Sequence, residues 1–396
     1  MIELPKLLIV TEWAPSAPGG GPAILRQMVR NYPPDLLFWW SCLPAKSPVP
    51  NHHCAQIPSR LYPHRRLVEI KARLLEKLWL PFARRHLLKV IQKLNPDAIW
   101  HVPHKWAIPV AHTVLLPKGR QLHVTMQDYM DMTANLPLLG SARAQSFAKM
   151  ADALYGRAET RDATSHAMIE DLLARTGVSA EQMVHAGLEE EDFNALREAQ
   201  PRPSEIRIAY AGTIQVESTF LFFVDALKTV RHSLPQKMKL IFFGSHRYSD
   251  CRWFEADWME ERGHLDLPLL HQQLRQCSWG ISIMALNDDI RYNRYSFPTK
   301  FISYLAGGLP IFTLAHPKSS VYQMAAKYGV GVETSTTSRE LLAQQLRASF
   351  SDLDAKERFR PAVLRCARTE FNAQKMRGTL QDCFQRCAEA GRRIGS

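Results

Sequence analysis

Two successive series of short apolar runs, separated by helix-period segments, limit what this chain can fold into more than any other feature. The first series is Lys6–Thr11, Leu36–Ser41, Ala98–Val102 and Leu122–Gln127. The second is Ile206–Ala211, Lys239–Phe243, Trp279–Leu286, Ile311–Leu314 and Val330–Glu333. These runs are β-branched or aromatic and bounded by Pro, Gly or Asn, as strands buried on both faces are. Helical periodicity lies over Ser141–Gly156, Thr164–Arg175, Phe301–Ala306 and Arg339–Phe350. Alternation of this kind predicts an α/β chain with parallel sheets. Between the series lie an acidic stretch, Leu188–Asp192, and the breaker cluster Gln200-Pro201-Arg202-Pro203-Ser204. The pattern therefore predicts two tandem Rossmann-like domains facing a central cleft. They cover 1–187 and 206–365, with a linker at 188–205 and a helical tail, 366–396, that packs back on the first domain. Function is expected in that cleft, at the carboxyl ends of the strands.

Composition narrows the partners. The 396 residues are 46% hydrophobic, enough for two cores, and carry a net charge of +12. That excess suits an anionic partner. Nucleic acid is not expected, because no zinc finger, helix-turn-helix or aromatic-interleaved basic motif is present. No apolar run nears the roughly 18 residues of a membrane span, and the N-terminus lacks signal-peptide features, which predicts a cytoplasmic protein. The seven cysteines are odd in number and scattered, as reduced thiols are, and none has zinc spacing. Neither a metal nor a resident cofactor is expected, and Asn287-Asp288-Asp289 is only a loop carboxylate pair.

Two motifs follow strands. Gly19-Gly20-Gly21, between prolines, lies after the first run and before helix-like Ala23–Arg30, where free amides favour an anion. It has neither dinucleotide-fingerprint nor Walker A spacing, and it reads equally as a flexible surface loop. Ser296-Phe297-Pro298-Thr299-Lys300 opens a second helix, with Ser296 as its cap and Pro298 in its first turn. Its amides and Lys300 form a second candidate anion site, unless this is only a well-capped helix bearing a solvated lysine. Asp128, with Gln127, ends the fourth run, either as a reacting carboxylate or as a turn cap. His101 and His104 end the third.

A basic stretch, Pro63–Leu94, carries nine Lys/Arg against two Glu, more than half of the chain's net charge. Leu67, Ile70, Leu74 and Leu78 recur at helical spacing, continued by Phe82 and His86. Such a stripe either packs on the first sheet or lies on an anionic membrane surface. The second case assigns contact to Arg65, Arg66, Lys77, Arg84 and Arg85, with Trp79 at headgroup level.

Over nearly its whole length the sequence resembles the group-1 family of GT-B glycosyltransferases, retaining enzymes that use nucleotide sugars. The resemblance rests on the glycine motif after the first run and on Ala163–Met168. It continues through Ile208–Thr213, Leu240–Gly244 and, most specifically, Pro298–Pro310 with its Pro-x-Lys and Tyr-Leu-Ala-x-Gly-x-Pro elements. It implies hexose transfer, without a metal, from a nucleotide diphosphate sugar to a glycan or lipid-linked acceptor in surface polysaccharide biosynthesis. Asp128 and Lys300 would be catalytic. Gly19, Gly20, Gly21, Gly212, Thr213, Ser296, Phe297, Pro298, Thr299 and Ser303 would bind the donor, and His101, His104 and Gln127 would face the acceptor. The chain departs from the family pattern in five places. Thr213 and a lysine-free stretch follow Gly212, Tyr295 and Ser303 stand where two glutamates are usual, and Gln127 replaces a histidine. These departures leave a degenerate scaffold subunit or a nucleotide-sugar epimerase as alternative readings.

Overall fold

The structure is a computed structural model that describes residues 4–62, 67–128, 141–197, 205–234, 236–287 and 291–395. The chain divides into two compact units, Met1–Ala186 with Lys375–Ser396, and Gly187–Gln374.

In the first unit the fully buried run Leu7–Thr11 forms β1, and helix α1 is Gly20–Met28. Next come β2 (Leu37–Ser41), β3 (His52–Cys54) and α2 (Val68–Leu74). A π-helical turn, Leu75–Trp79, joins α2 to α3 (Leu80–Leu94). Then follow β4 (Ala98–His101), α4 (Ala107–Leu115), β5 (Leu122–Met126), α5 (Ser141–Arg157), β6 (Thr160–Ala163) and α6 (His166–Thr176). The strands pair in parallel in the order β3-β2-β1-β4-β5-β6.

The second unit repeats the scheme. Its elements are α7 (Glu190–Arg197), β7 (Ile206–Ala211), α8 (Glu217–Arg231), β8 (Met238–Phe243), β9 (Met259–Glu261), α9 (Leu267–Arg275) and β10 (Trp279–Ile283). They continue with α10 (Arg291–Tyr295), α11 (Thr299–Ala306), β11 (Ile311–Leu314), α12 (Ser320–Tyr328), β12 (Gly331–Thr334), α13 (Arg339–Phe350) and α14 (Ala355–Glu370). The sheet order is β12-β11-β10-β7-β8-β9, again parallel. In each unit the first strand is central and the order reverses beside it, between β1 and β4 and between β7 and β10. Such a reversal leaves a crevice at the carboxyl ends of the two strands.

Helix α15 (Ala373–Gly395) carries the chain back to the first unit. Met376, Leu380, Phe384 and Cys387 join the core formed by Leu7, Ile9, Trp39 and Trp100. The Phe384 ring lies 5.4 Å from that of Trp100 and 5.5 Å from that of His123. Burying one such ring is worth about 1.5–3 kcal/mol, so four apolar anchors hold the helix firmly. The stretch expected as tail is thus shared: residues up to 374 stay with the second unit, where Leu188 and Asn372 form a parallel bridge. The stretch expected as linker contains α7, fixed to the second unit by the 2.8 Å pair between Asp192 Oδ1 and His271 Nδ1.

Helices α2 and α3 bury Ala72, Leu75, Trp79, Leu80, Ala83, Leu87, Val90 and Ile91. Two of the expected membrane residues face inward here. The Trp79 Nε1–H donates to the Ala55 and Gln56 carbonyls at 3.1 and 3.2 Å, which fixes the ring in the core. The Arg84 guanidinium donates to the Pro109 carbonyl, tying α3 to α4. Arg65 and Arg66 lie outside the described residues.

Candidate functional site

The polar groups gather at the two crevices. In the second unit, Gly212 follows β7 at φ +81°, a left-handed conformation that favours glycine. Gly244 follows β8 and stacks its backbone on that of Gly212, so a Cβ at 244 would lie 3.4 Å from the Gly212 Cα. The Gly212 N–H donates to the Phe243 carbonyl at 2.6 Å and the Gly244 N–H to the Gly263 carbonyl at 2.8 Å, so what the two strand ends offer an incoming group is space free of side chains.

Lys300 sits in the first turn of α11 and is almost fully buried. Its Nζ donates to the Tyr210 hydroxyl and to the Thr213 carbonyl, each at 3.0 Å, and lies 4.2 Å from the Tyr210 ring centroid. No carboxylate is bonded to this ammonium among the described residues. Burial alone lowers its pKa to about 7. A cation held by neutral acceptors at a strand end is ready to meet an incoming negative charge. The position is set by Tyr304, one turn further on. Its hydroxyl accepts from the Ala211 amide at 2.8 Å and donates to the Ile281 carbonyl at 3.0 Å, linking β7 to β10. Only glycine fits at 280, because a Cβ there would lie 2.4 Å from the Tyr304 ring.

Other expected donor residues play different parts. Helix α11 starts at Thr299 with Pro298 as its N-cap, so Ser296 is not the cap. Ser296 is buried, and its carbonyl accepts from the Ser320 hydroxyl at 2.6 Å. Phe297 is buried between Phe301 and Phe371, with centroids at 5.2 and 5.4 Å, and so serves the core. Ser303 donates to the Thr299 carbonyl of its own helix at 3.4 Å. Sequence reasoning missed His246, whose Nδ1 lies 3.2 Å from the Thr213 hydroxyl. Its position two residues past the strand-ending Gly244 was the available signal.

In the first unit, Gly19 caps α1 at φ +110°, and Gly20 and Gly21 are its first residues, so the expected loop is a helix start. Gly21 is required by close approach. A Cβ there would lie 2.7 Å from the Trp13 ring and 2.8 Å from Gln127 Oε1. Gln127 is buried, and neither amide atom finds a hydrogen-bond partner among the described residues. Asp128 is half-buried beside it, at the last described position before 141.

The two strand-end histidines separate. His101 is wholly buried, with Nδ1 2.9 Å from the Val10 carbonyl, and burial lowers its pKa to about 4. It is a neutral core residue, contrary to the acceptor-facing role expected. His104 instead reaches the surface, with Nδ1 2.5 Å from Glu12 Oε2, and its ring lies 4.2 Å from that of Trp13. Glu12 is fully buried and also accepts from the Tyr62 hydroxyl at 3.4 Å. A buried carboxylate that orients an imidazole leaves the other ring nitrogen available for proton transfer. Glu12 and Trp13 were missed in the sequence, where they follow β1 without a motif. Asp288 and Asp289 lie outside the described residues.

No protein-family model matches this chain, and no curated protein matches its sequence. Solved structures do resemble it. Sucrose-phosphate synthase from Thermosynechococcus elongatus superposes with a TM-score of 0.67 at 13% identity, over 96% of this chain and 98% of that one. For α,α-trehalose 6-phosphate synthase from Burkholderia multivorans the values are 0.64 and 13%, over 100% and 99%. For HepE of Anabaena in complex with UDP they are 0.63 and 14%, over 95% and 98%. With two six-stranded parallel sheets flanked by helices, the chain has the two-domain α/β GT-B fold.

Proposed function

We propose that the protein is a glycosyltransferase that moves a hexose, with retention, from a nucleotide diphosphate sugar to a glycan or lipid-linked acceptor in surface polysaccharide biosynthesis. One observation carries the reading: Lys300, buried without a carboxylate partner among the described residues, directs its ammonium to the carboxyl end of β7. A diphosphate arriving there supplies the missing counter-charge. HepE, with the same fold, is described in complexes with UDP and with UDP-glucose. Lys300 and the α11 amides stabilise the leaving diphosphate without a metal, as preorganised donors do in an excluded-water site. Thr213, Gly212 and the backbone of 298–299 line the diphosphate, and the role of Asp128 toward the sugar or acceptor rests on the family resemblance.

Thermal shift of the full chain against UDP, GDP, ADP and their sugars tests this. At a hundred times its dissociation constant, a ligand that binds only the native state adds about 2.7 kcal/mol of stability. One nucleotide series should raise the melting temperature of the wild type and fail with Lys300→Met. No shift with any of them overturns the reading.

A further inference from the structure

Helix α2, the π-turn and the start of α3 are apolar on two faces. One face is the buried set already described. The other holds Leu67, Ile70, Leu74, Leu78 and Phe82, and it is open: these side chains are 65, 56, 37, 65 and 53% exposed. The spacing of four between Leu74, Leu78 and Phe82 exceeds an α-helical turn, and the wider π-turn at Leu75–Trp79 absorbs the drift. Five large apolar residues in line on one exposed helix face form a patch of the kind that marks an interaction surface.

The charge beside this stripe has one sign. Lys77, Arg85 and Lys89 are exposed and form no ion pair among the described residues. The two acidic residues of the stretch are both neutralised from α5: Arg143 donates to Glu76 at 2.6 Å and to Glu69 at 2.9 Å. Arg73 adds a 3.1 Å contact to Glu69. An apolar ridge flanked by free cations, with its own carboxylates held by an arginine, matches a bilayer interface that presents anionic headgroups.

We infer that the Leu67–Phe82 face of α2–α3, flanked by Lys77, Arg85 and Lys89, docks on anionic phospholipid. The apolar side chains enter the acyl boundary and the cations bind lipid phosphates. Trp79 and Arg84 have no part in it. The surface goes beyond the transfer reading, since binding to a bilayer needs neither donor nor acceptor.

Co-sedimentation of the full chain with phosphatidylcholine vesicles, with and without phosphatidylglycerol, tests this. The wild type should bind the anionic vesicles at low salt, release them as salt rises, and ignore pure phosphatidylcholine. Lys77→Gln/Arg85→Gln/Lys89→Gln should weaken binding on the order of a hundredfold, since each cation contributes about fivefold. Leu78→Glu/Phe82→Glu should abolish it. Both variants should keep the wild-type melting temperature, because all five positions are exposed. Failure of the wild type to bind anionic vesicles at low salt overturns the inference, as does wild-type binding by both variants. Light scattering without lipid supplies a further outcome. A wild-type dimer that Leu78→Glu/Phe82→Glu converts to monomer assigns the stripe to a second copy of the chain, and overturns it too.

Discussion

At the scale of single residues, Lys300 couples stability to binding in opposite senses. Its pKa falls from 10.5 to about 7 on folding because burial disfavours the ammonium. Between those values the unfolded chain holds more protons than the folded one, so this residue makes stability rise with pH from about 7 towards 10.5. Lys300→Met keeps the volume and removes the buried charge. Chemical denaturation should show the variant equal to or more stable than wild type at pH 7, with a flatter stability profile above it. Nucleotide binding should move the other way. A diphosphate needs the charged form, so wild-type affinity should fall by up to tenfold per pH unit above about 7. Calorimetry in buffers of different ionisation enthalpy should detect the accompanying proton uptake. The variant should lose a charge-assisted hydrogen bond worth about 1.5–3 kcal/mol of affinity. Lys300 was legible in the sequence because Pro298 and the Gly307-Gly308 stop frame a helix whose first turn follows a strand. Its pairing with Tyr210 and Thr213 was not, since 87 residues or more separate the partners. The Glu12–His104 pair escaped for the same reason, spanning 92 positions.

At the scale of elements, the central strands were readable because both faces are buried and their apolar runs are continuous. The runs at 206–211 and 311–314 coincide with β7 and β11. Edge strands β3, β6 and β9 were missed. Their sequences, His-His-Cys, Thr-Arg-Asp-Ala and Met-Glu-Glu, carry polar groups that an edge tolerates and a centre does not. Strand β6 shows why its polar residues are there. Asp162 and His123 of β5 form a fully buried pair at 3.0 Å. Burial would lower the imidazole, but the Asp162 charge and hydrogen bond outweigh it and raise His123 to about 9. The pair therefore stabilises the fold fully below about 6.5, and the contribution disappears as pH rises through about 9. Asp162→Asn should cost about 3–5 kcal/mol at pH 6 by leaving the imidazole unpaired. Thermal melts across pH 6.5–9 should show the melting-temperature gap between wild type and the variant narrowing as pH rises, whatever slope other groups give both proteins. The apolar stripe of α2–α3 illustrates a different limit. Periodicity reports that a helix has an apolar face but not which of two faces is turned inward, and the described core uses the less obvious one.

At the scale of the whole molecule, both ends of the chain belong to the first unit, while the second unit is one continuous segment, Gly187–Gln374. Deleting 375–396 should therefore leave the second unit intact and open the first, by removing Met376, Leu380, Phe384 and Cys387 from beside β1 and β4. Hydrogen exchange should show lost protection in β1, β4 and β5 but retained protection in β7, β8 and β10. Uniform loss across both sheets would mean that the two units fold as one.

The return of α15 also sets an order of events on the ribosome. The second unit has all its residues once position 374 is translated, whereas the first, although begun earlier, still lacks its closing helix. At about 5–20 residues per second, the 23 residues of α15 take roughly 1–5 s to be made. Through that interval Trp100, Trp39 and Ile9 form an unsealed apolar face on a nascent chain. The first half of the message thus encodes the last part of the protein to mature. Synonymous codon changes that slow translation after position 374 should lengthen its dependence on chaperones without altering a single side chain.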